Sequence, residues 1–193
     1  MKSGKDNKMK LVLCILKSPE KELNSRDLAK LIGVTPMGSL KIAKKLEKEN
    51  ILQSRQIGKA KIYSINHSEY AKAYISFLLK KEVEQAKPYV KRWIEELKKI
   101  KHAKAVILFG SVLTKEKEAN DIDALILIDQ KNFKTAQKEL EEINLLNEKK
   151  IHPVYQTDED LEKHVKTGDK IIPNAIKGIV VSGEDALTEI LSK

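Results

Sequence analysis

Apolar residues in the first part of the chain recur at helical spacing and are separated by short polar breaks. Residues 9–16 are mostly apolar and predict a short helix, which ends at the polar stretch around Pro19. Ser25 is a suitable N-cap for a second helix, because its hydroxyl can accept a hydrogen bond from an unpaired backbone N–H group. The apolar positions of this second helix share one face and are Leu28, Leu31 and Ile32.

A third helix follows after a short turn. Gly33 ends the second helix, and Thr35 and Pro36 begin the third. Threonine is a good N-cap, and proline loses no hydrogen bond at the first helical position. The third helix runs to about Glu49, where Asn50, which tolerates the left-handed conformation, ends it. Two helices joined by so short a turn have the spacing of a helix-turn-helix motif.

Two strand-like segments come next and predict a β-hairpin. They are residues 51–57 and 61–66, and the link between them contains Gly58. Three helices followed by a hairpin resemble the winged helix-turn-helix domains of bacterial and archaeal regulators. The residues that carry this resemblance are Leu28, Leu31, Gly33, Val34, Thr35, Leu46, Ile51, Leu52, Lys61, Tyr63 and Ile65.

The resemblance implies that residues 1–66 bind duplex DNA. In such domains the second helix of the motif enters the major groove, and the hairpin reaches the neighbouring backbone or minor groove. The residues that we expect at this interface are Thr35, Lys41, Lys44, Lys45, Arg55, Lys59 and Lys61. The alternative is a winged helix that binds another protein instead of DNA.

Residues 67–101 predict a connector helix that Ser68 can cap. Apolar residues in it follow one another at spacings of four and three, which is a heptad pattern. These residues are Leu79, Val83, Ala86, Val90, Trp93, Leu97 and Ile100. Pro88 is expected to kink or split the helix, because proline lacks the backbone N–H that a helix interior needs. The apolar stripe is either the seam of a homodimer or a surface packed against the chain's own domains.

From residue 102 onward, strands and helices alternate, which is typical of an α/β fold. Apolar segments predict strands at residues 103–111, 121–129, 151–156 and 179–183. Helical patterns are found within residues 112–120, at residues 134–149 and 158–168, and from Glu184 onward.

A pair of carboxylates stands at the start of the second of these strands. Asp121 and Asp123 are two residues apart, so both side chains project from one face of the strand. Their Cα atoms are then about 6.6 Å apart, close enough for the carboxylates to share one or two divalent cations. Before them, Gly110 lets a phosphate approach the backbone, and Ser111 offers a hydroxyl and an N–H group. A phosphate-binding turn beside paired carboxylates is what metal-assisted nucleotidyl transfer requires.

A Gly-Ser turn followed by Asp-Ile-Asp on the next strand resembles the minimal nucleotidyltransferase domains of the DNA polymerase β superfamily. The similar segment spans residues 102–183. The resemblance implies transfer of a nucleoside monophosphate from a nucleoside triphosphate, with Mg²⁺ or Mn²⁺ as cofactor. It also implies that Gly110 and Ser111 bind the triphosphate, and that Asp121 and Asp123 are catalytic residues that bind the metal.

The sequence departs from the family pattern in two ways. Thr114 and Lys115 stand where the family often has an Arg-Gly pair. The family's third carboxylate lies on the next core strand, but residues 151–156 contain no acidic residue and have His152 at about that place. A histidine there can bind a metal, accept a proton as a catalytic base or serve only the structure. Whether the domain is an enzyme therefore stays open at this point.

Charge separates the two halves of the chain. Residues 1–66 carry 15 Lys or Arg against 6 Asp or Glu, and residues 102–193 carry 13 against 17, within a total net charge of +9. A basic unit attracts polyanions, most often nucleic acid, whereas an acidic second unit disfavours DNA as its own substrate. A general abundance of lysine is the alternative explanation, because only three of the basic residues are arginine.

The single cysteine, Cys14, lies in the apolar run near the start of the chain. One cysteine excludes an internal disulfide and a zinc site built from a cluster of cysteines. The apolar run is too short to cross a bilayer, and no small-residue cleavage site follows it. We therefore expect a cytoplasmic protein with neither a membrane span nor a signal peptide.

These patterns predict a two-domain α+β or α/β protein. A winged helix-turn-helix domain of three helices plus a β-hairpin (1–66) precedes the connector (67–101) and a mixed sheet of the nucleotidyltransferase fold flanked by helices (102–193). The first of three candidate functions is a DNA-binding regulator that binds NTP–Mg²⁺ and transfers a nucleotide to a protein or small molecule. The second is a catalytically degenerate transcription regulator that uses the second domain for nucleotide sensing or assembly. The third is the antitoxin of a nucleotidyltransferase-type toxin–antitoxin pair, with a toxin protein as its partner.

Overall fold

The computed structural model describes residues 3–167 and 171–191, so residue 168 of the predicted helix 158–168 lies outside the described part. The chain divides into two compact units. One comprises residues 1–78 with residues 191–193, and the other comprises residues 79–190. Within the described residues, no helix is both long enough and apolar enough to cross a bilayer.

The first unit contains three helices and a small antiparallel sheet. The helices are α1 (Ser3–Leu16), α2 (Ser25–Ile32) and α3 (Pro36–Lys48), and the strands are β1 (Leu23–Asn24), β2 (Leu52–Ile57) and β3 (Ala60–Ile65). The strand order is β1-β3-β2. The three predicted helices and the hairpin are present, but α1 begins at Ser3 and not at residue 9. Strand β1 was not predicted, because two residues are too few to show an alternating pattern.

The ends of α2 and α3 follow the expected capping chemistry with one correction. Thr35 accepts a hydrogen bond from the Gly38 N–H at 3.1 Å, and Gly33 adopts the left-handed conformation after α2. The N-cap of α2 is Asn24, however, and not Ser25. The Asn24 side chain accepts from the N–H of residue 27, and the Asp27 carboxylate accepts from the Asn24 N–H. This reciprocal capping box satisfies two backbone N–H groups. The helix therefore begins after Asn24, and Ser25 is its first residue and not its cap.

The predicted apolar face of α2 is wrong at one position. Leu28 is fully buried, whereas Leu31 has 52% of its surface exposed. Burial in α2 instead includes Ala29, and the core of the unit continues through Leu46 of α3 and Ile51 before the hairpin. Helix α2 therefore presents a narrower apolar stripe to the core than its sequence indicates.

The predicted connector is split into two helices, α4 (Glu69–Gln85) and α5 (Pro88–Leu97). Ser68 caps α4 by accepting a hydrogen bond from the Ala71 N–H at 3.2 Å. Pro88 is the first residue of α5, where its missing N–H costs nothing.

The apolar stripe of the connector lies mainly inside the second unit. Leu79, Val90, Trp93, Leu97 and Ile100 are buried. All of these except Leu79 belong to the same core cluster, with the partly buried Val83 and Ala86 packed against it. The structure therefore favours packing within the chain over a homodimer seam, because buried side chains are not accessible to a second copy.

The second unit is a four-stranded mixed sheet with helices packed on it. Its strands are β4 (Ala105–Phe109), β5 (Ile122–Leu127), β6 (Ile151–Gln156) and β7 (Ile179–Ser182), in the order β6-β5-β4-β7. Strands β5 and β6 are parallel, and the other two pairs are antiparallel. Its other helices are α6 (Val112–Lys115), α7 (Phe133–Leu146), α8 (Asp158–Thr167), α9 (Ile171–Ile176) and α10 (Glu184–Leu191). Helix α9 was not predicted; Pro173 lies in its first turn, where proline is tolerated.

Candidate functional site

Asp121, Asp123 and His152 converge where the parallel strands β5 and β6 begin. Asp123 lies opposite His152 in the register of these two strands and opposite Phe109 of β4 on its other side. Residues in register on neighbouring strands point to the same face, and Asp121, two positions earlier, joins them. The three side chains each offer a ligand atom within 4.8 Å of the other two. His152 Nδ1 lies 3.4 Å from Asp121 Oδ2.

Hydrogen bonds fix the beginnings of both strands. Asn144 of α7 holds Ile151 twice: its Oδ1 accepts from the Ile151 N–H at 2.7 Å, and its Nδ2 donates to the Ile151 carbonyl at 3.2 Å. The Ile122 N–H donates to the Lys150 carbonyl at 3.1 Å. These bonds lie next to Asp121, Asp123 and His152. They therefore hold the register of β5 against β6 at the candidate site.

The loop before Asp121 is held by Lys149, which nothing in the sequence pattern singles out. Its ammonium donates to the carbonyl oxygens of Lys117 and Ala119, the latter at 2.6 Å. The same ammonium lies 5.5 Å from the centroid of the Tyr89 ring. Lys149 is therefore a positioning residue for this loop, and the abundance of lysine in the chain hides it from sequence analysis.

Gly110 allows the Asp123 carboxylate to lie directly against the backbone. The φ of Gly110 is +80°, and a Cβ at this position would overlap Asp123 Oδ2 and lie 2.9 Å from its Cγ. The sequence predicted a close approach of a phosphate here. The structure shows that glycine is needed at position 110 to leave room for the Asp123 carboxylate.

The turn after Gly110 is tight. The Ser111 carbonyl accepts hydrogen bonds from the N–H of residues 114 and 115 and from the Thr114 hydroxyl, the last at 3.1 Å. Thr114 and Lys115 are therefore the last two residues of the short helix α6. Glu116 then adopts φ +50° and ψ −116°, a conformation that strains any residue with a side chain.

The electrostatics of the site fit a divalent cation. Partial burial and the neighbouring Asp121 carboxylate raise the pKa of Asp123, and His152 offsets this in part. Two carboxylates that repel each other are stabilised when a cation lies between them. The Asp121, Asp123 and His152 side chains supply two oxygens and one nitrogen, a donor set that suits a divalent metal ion.

The predicted DNA-contacting residues lie in the first unit. Lys41, Lys44 and Lys45 are exposed on α3, on the side opposite the buried Ala43 and Leu46. Thr35 caps the beginning of that helix, and Lys59 is exposed at the turn of the hairpin.

The remaining two predicted contacts form ion pairs within the unit. Arg55 pairs with Glu22, and Lys61 pairs with Glu47 at 2.9 Å. Hydrogen bonds from Ser54 and Lys61 lower the pKa of Glu47. The Arg55–Glu22 pair is exposed and contributes little to stability, so it can open when a stronger anion is near, whereas the Lys61–Glu47 pair is partly buried.

Residues 91–176 match the family model described as Polymerase beta, Nucleotidyltransferase. The matched segment is slightly less than half of the chain and contains Gly110, Ser111, Asp121, Asp123 and His152. Neither the curated proteins nor the solved structures contain a significant match to this chain. The chain therefore carries a nucleotidyltransferase-type domain, whereas the resemblance of residues 1–66 to a winged helix stays a prediction.

Proposed function

We propose that the chain is a DNA-binding regulator whose second domain binds a nucleoside triphosphate with a divalent cation and transfers a nucleoside monophosphate. The observation that carries the proposal is the convergence of Asp121, Asp123 and His152 beside Gly110, inside the segment that matches the nucleotidyltransferase model. The metal and nucleotide roles of these residues, and of Ser111, are part of the proposal.

Each residue has a distinct task in this proposal. Asp121 and Asp123 hold the cation, and the turn at Gly110 and Ser111 binds the triphosphate through backbone N–H groups and the serine hydroxyl. A bound divalent cation would neutralise charge on the triphosphate and on the leaving pyrophosphate. A positioned base typically contributes about 10²–10⁴-fold to such a reaction. Because residues 151–156 contain no carboxylate, we expect slow turnover.

The test of this domain is nucleotide binding followed by transfer. Calorimetry of the full chain with each NTP and Mg²⁺ or Mn²⁺ should show binding, and the variant Asp121→Asn/Asp123→Asn should show none. Incubation with labelled NTP and the protein encoded by the neighbouring gene should then give a labelled acceptor. Absence of NTP binding with either metal would reject the proposal.

The DNA-binding part of the proposal rests on charge and on the arrangement of α3. Residues 1–66 have an excess of nine positive charges, and exposed lysines cover the outer side of α3. Neutralising phosphates releases counterions from DNA, so affinity should fall with a slope of about 0.9 log units per log unit of salt for each phosphate contacted.

Salt-dependent binding of duplex DNA tests this part directly. Lys41→Ala and Lys59→Ala should each lower the slope by about one contact. Lys138→Ala is the matched control, since it removes an exposed lysine from α7 of the acidic unit and should leave the slope unchanged. A flat salt response of the unmodified chain would reject DNA binding.

A second candidate function is a transcription regulator that binds nucleotide without transferring it. The observation that favours it is that a histidine, His152, and no carboxylate lies in register with Asp123 on β6. Brisk transfer to any acceptor would exclude this candidate, whereas tight NTP binding with no detectable transfer would select it over the first.

A further inference from the structure

The donor set of the candidate metal site differs from an all-carboxylate set in one ligand. His152 occupies the strand position in register with Asp123, and its Nδ1 faces Asp121 Oδ2 at 3.4 Å. The ligand atoms of the three side chains lie within 4.8 Å of one another. Ligands about 2.1 Å from one ion are at most about 4.2 Å apart, so the ligand atoms have to approach one another by up to about 0.6 Å to bind a common ion, which side-chain rotation allows.

Replacing an oxygen by an imidazole nitrogen changes which ion a site prefers. Mg²⁺ takes oxygen ligands almost exclusively, whereas imidazole is a good ligand for first-row transition ions. The two carboxylates also supply a charge of −2 instead of the −3 of three carboxylates. This lower charge weakens the attraction for Mg²⁺, which depends on charge more than on covalency. We propose that His152 makes this site select Mn²⁺ or another first-row transition ion over Mg²⁺, with Nδ1 as the nitrogen ligand.

The geometry favours a ligand role for His152 over the two other roles. A histidine that only stabilises the fold is normally packed, but the His152 side chain is 61% exposed. A general base has to face the acceptor hydroxyl. In the structure, His152 Nδ1 faces the Asp121 carboxylate, on the face of the sheet where Asp121 and Asp123 lie. This inference rests on the proposed function only in assuming that Asp121 and Asp123 bind a metal.

Metal binding by the full chain, without nucleotide, tests the inference. Electron paramagnetic resonance measures free Mn²⁺ during a titration, and competition with Mg²⁺ gives the ratio of the two affinities. Electron spin-echo modulation of the bound Mn²⁺ reports nitrogen coupling directly. The informative variants are His152→Asp, which restores a third carboxylate, and His152→Ala. His67→Ala removes an exposed histidine of the first unit and is the matched control.

The unmodified chain and His67→Ala should bind Mn²⁺ about tenfold or more tightly than Mg²⁺ and show nitrogen coupling. His152→Ala should lose the coupling and most of the preference, and His152→Asp should bind Mg²⁺ more tightly than the unmodified chain does. Equal affinity for the two ions, or nitrogen coupling that survives His152→Ala, would overturn the inference. If His152→Asp fails to fold, as circular dichroism will show, the coupling and competition data on the unmodified chain and His152→Ala still decide.

Failure of this inference is distinguishable from failure of the proposed function. Nucleotide transfer that proceeds equally well with Mg²⁺ and Mn²⁺ would support the proposed function and reject the proposed metal selectivity. Selective Mn²⁺ binding that depends on His152, with no nucleotide binding, would keep the metal site and remove nucleotidyl transfer.

Discussion

Gly110→Ala tests the closest contact in the candidate site. The substitution adds one methyl group to a residue with φ +80°, and that methyl group would overlap the Asp123 carboxylate. Two separate costs follow. Alanine is disfavoured in the left-handed region, and Asp123 has to leave its present position to make room.

The size of the effect follows from these two costs. The left-handed conformation costs a residue with a Cβ about 1–2 kcal/mol. Forcing a side chain away from its preferred rotamer costs about 0.5–1.5 kcal/mol. We therefore expect Gly110→Ala to lower the free energy of unfolding by about 1.5–3.5 kcal/mol, and Tm by roughly 3–14 °C. Metal binding should weaken as well, because Asp123 is displaced.

A double-mutant cycle separates the two costs. In an Asp123→Ala background the overlap with the carboxylate is gone and only the Cβ of residue 123 stays close, at 3.0 Å. Gly110→Ala should then cost about 1–2 kcal/mol for its backbone conformation and little more. Gly33→Ala is a second control, because Gly33 has φ +71° and no atom within 4 Å of an added Cβ. Urea denaturation and Mn²⁺ titration are the assays. Equal costs in both backgrounds, together with unchanged Mn²⁺ affinity, would refute the argument that Gly110 makes room for Asp123.

Three further predictions concern stability. Glu116→Gly should raise the free energy of unfolding by about 1 kcal/mol or more, since it relieves the strain at φ +50°, while Glu116→Ala should give no such gain in the same denaturation assay. Asp123→Asn should stabilise the fold at neutral pH. The raised pKa of Asp123 means that its ionisation destabilises the native state, so the gain should vanish below about pH 3, where both states are protonated; a gain that persists there contradicts the assignment. Leu97→Ala should cost about 2–5 kcal/mol without changing the oligomeric state in light scattering, because Leu97 is fully buried in the core of the second unit. A change from dimer to monomer would instead support the hypothesis that the connector stripe is a homodimer interface.

The sequence predicted the parts of the structure that depend on local chemistry. Helix boundaries were predicted at Thr35, Gly33 and Pro88. Each of these residues has a conformational or capping preference that does not depend on tertiary contacts. The Asp-Ile-Asp spacing likewise places two carboxylates on one face wherever the strand lies. The nucleotidyltransferase resemblance drawn from these residues is supported by the family match at residues 91–176.

The sequence could not predict features for which two similar residues, or two possible packing partners, are equally suitable. Asn24 and Ser25 are both good N-caps, and only the reciprocal bond to Asp27 decides between them. The heptad stripe of the connector has the same spacing whether it faces a second copy or the chain's own sheet. Neither the positive φ of Glu116 nor the anchoring bonds of Lys149 has a sequence signal, since both arise from the path of one loop.

The surroundings of Asp123 disfavour its ionised form, and this bears on function. The carboxylate is partly buried beside a second carboxylate, which raises its pKa, and it occupies the space that a side chain at residue 110 would need. An asparagine at 123 would avoid the charge repulsion with no change in size. Stability alone does not favour an ionised carboxylate at this position, and groups in such an unfavourable environment are found mostly at functional sites. The same three side chains become mutually compatible once a divalent cation lies between them. This is a further reason to propose a metal site at the beginning of β5 and β6.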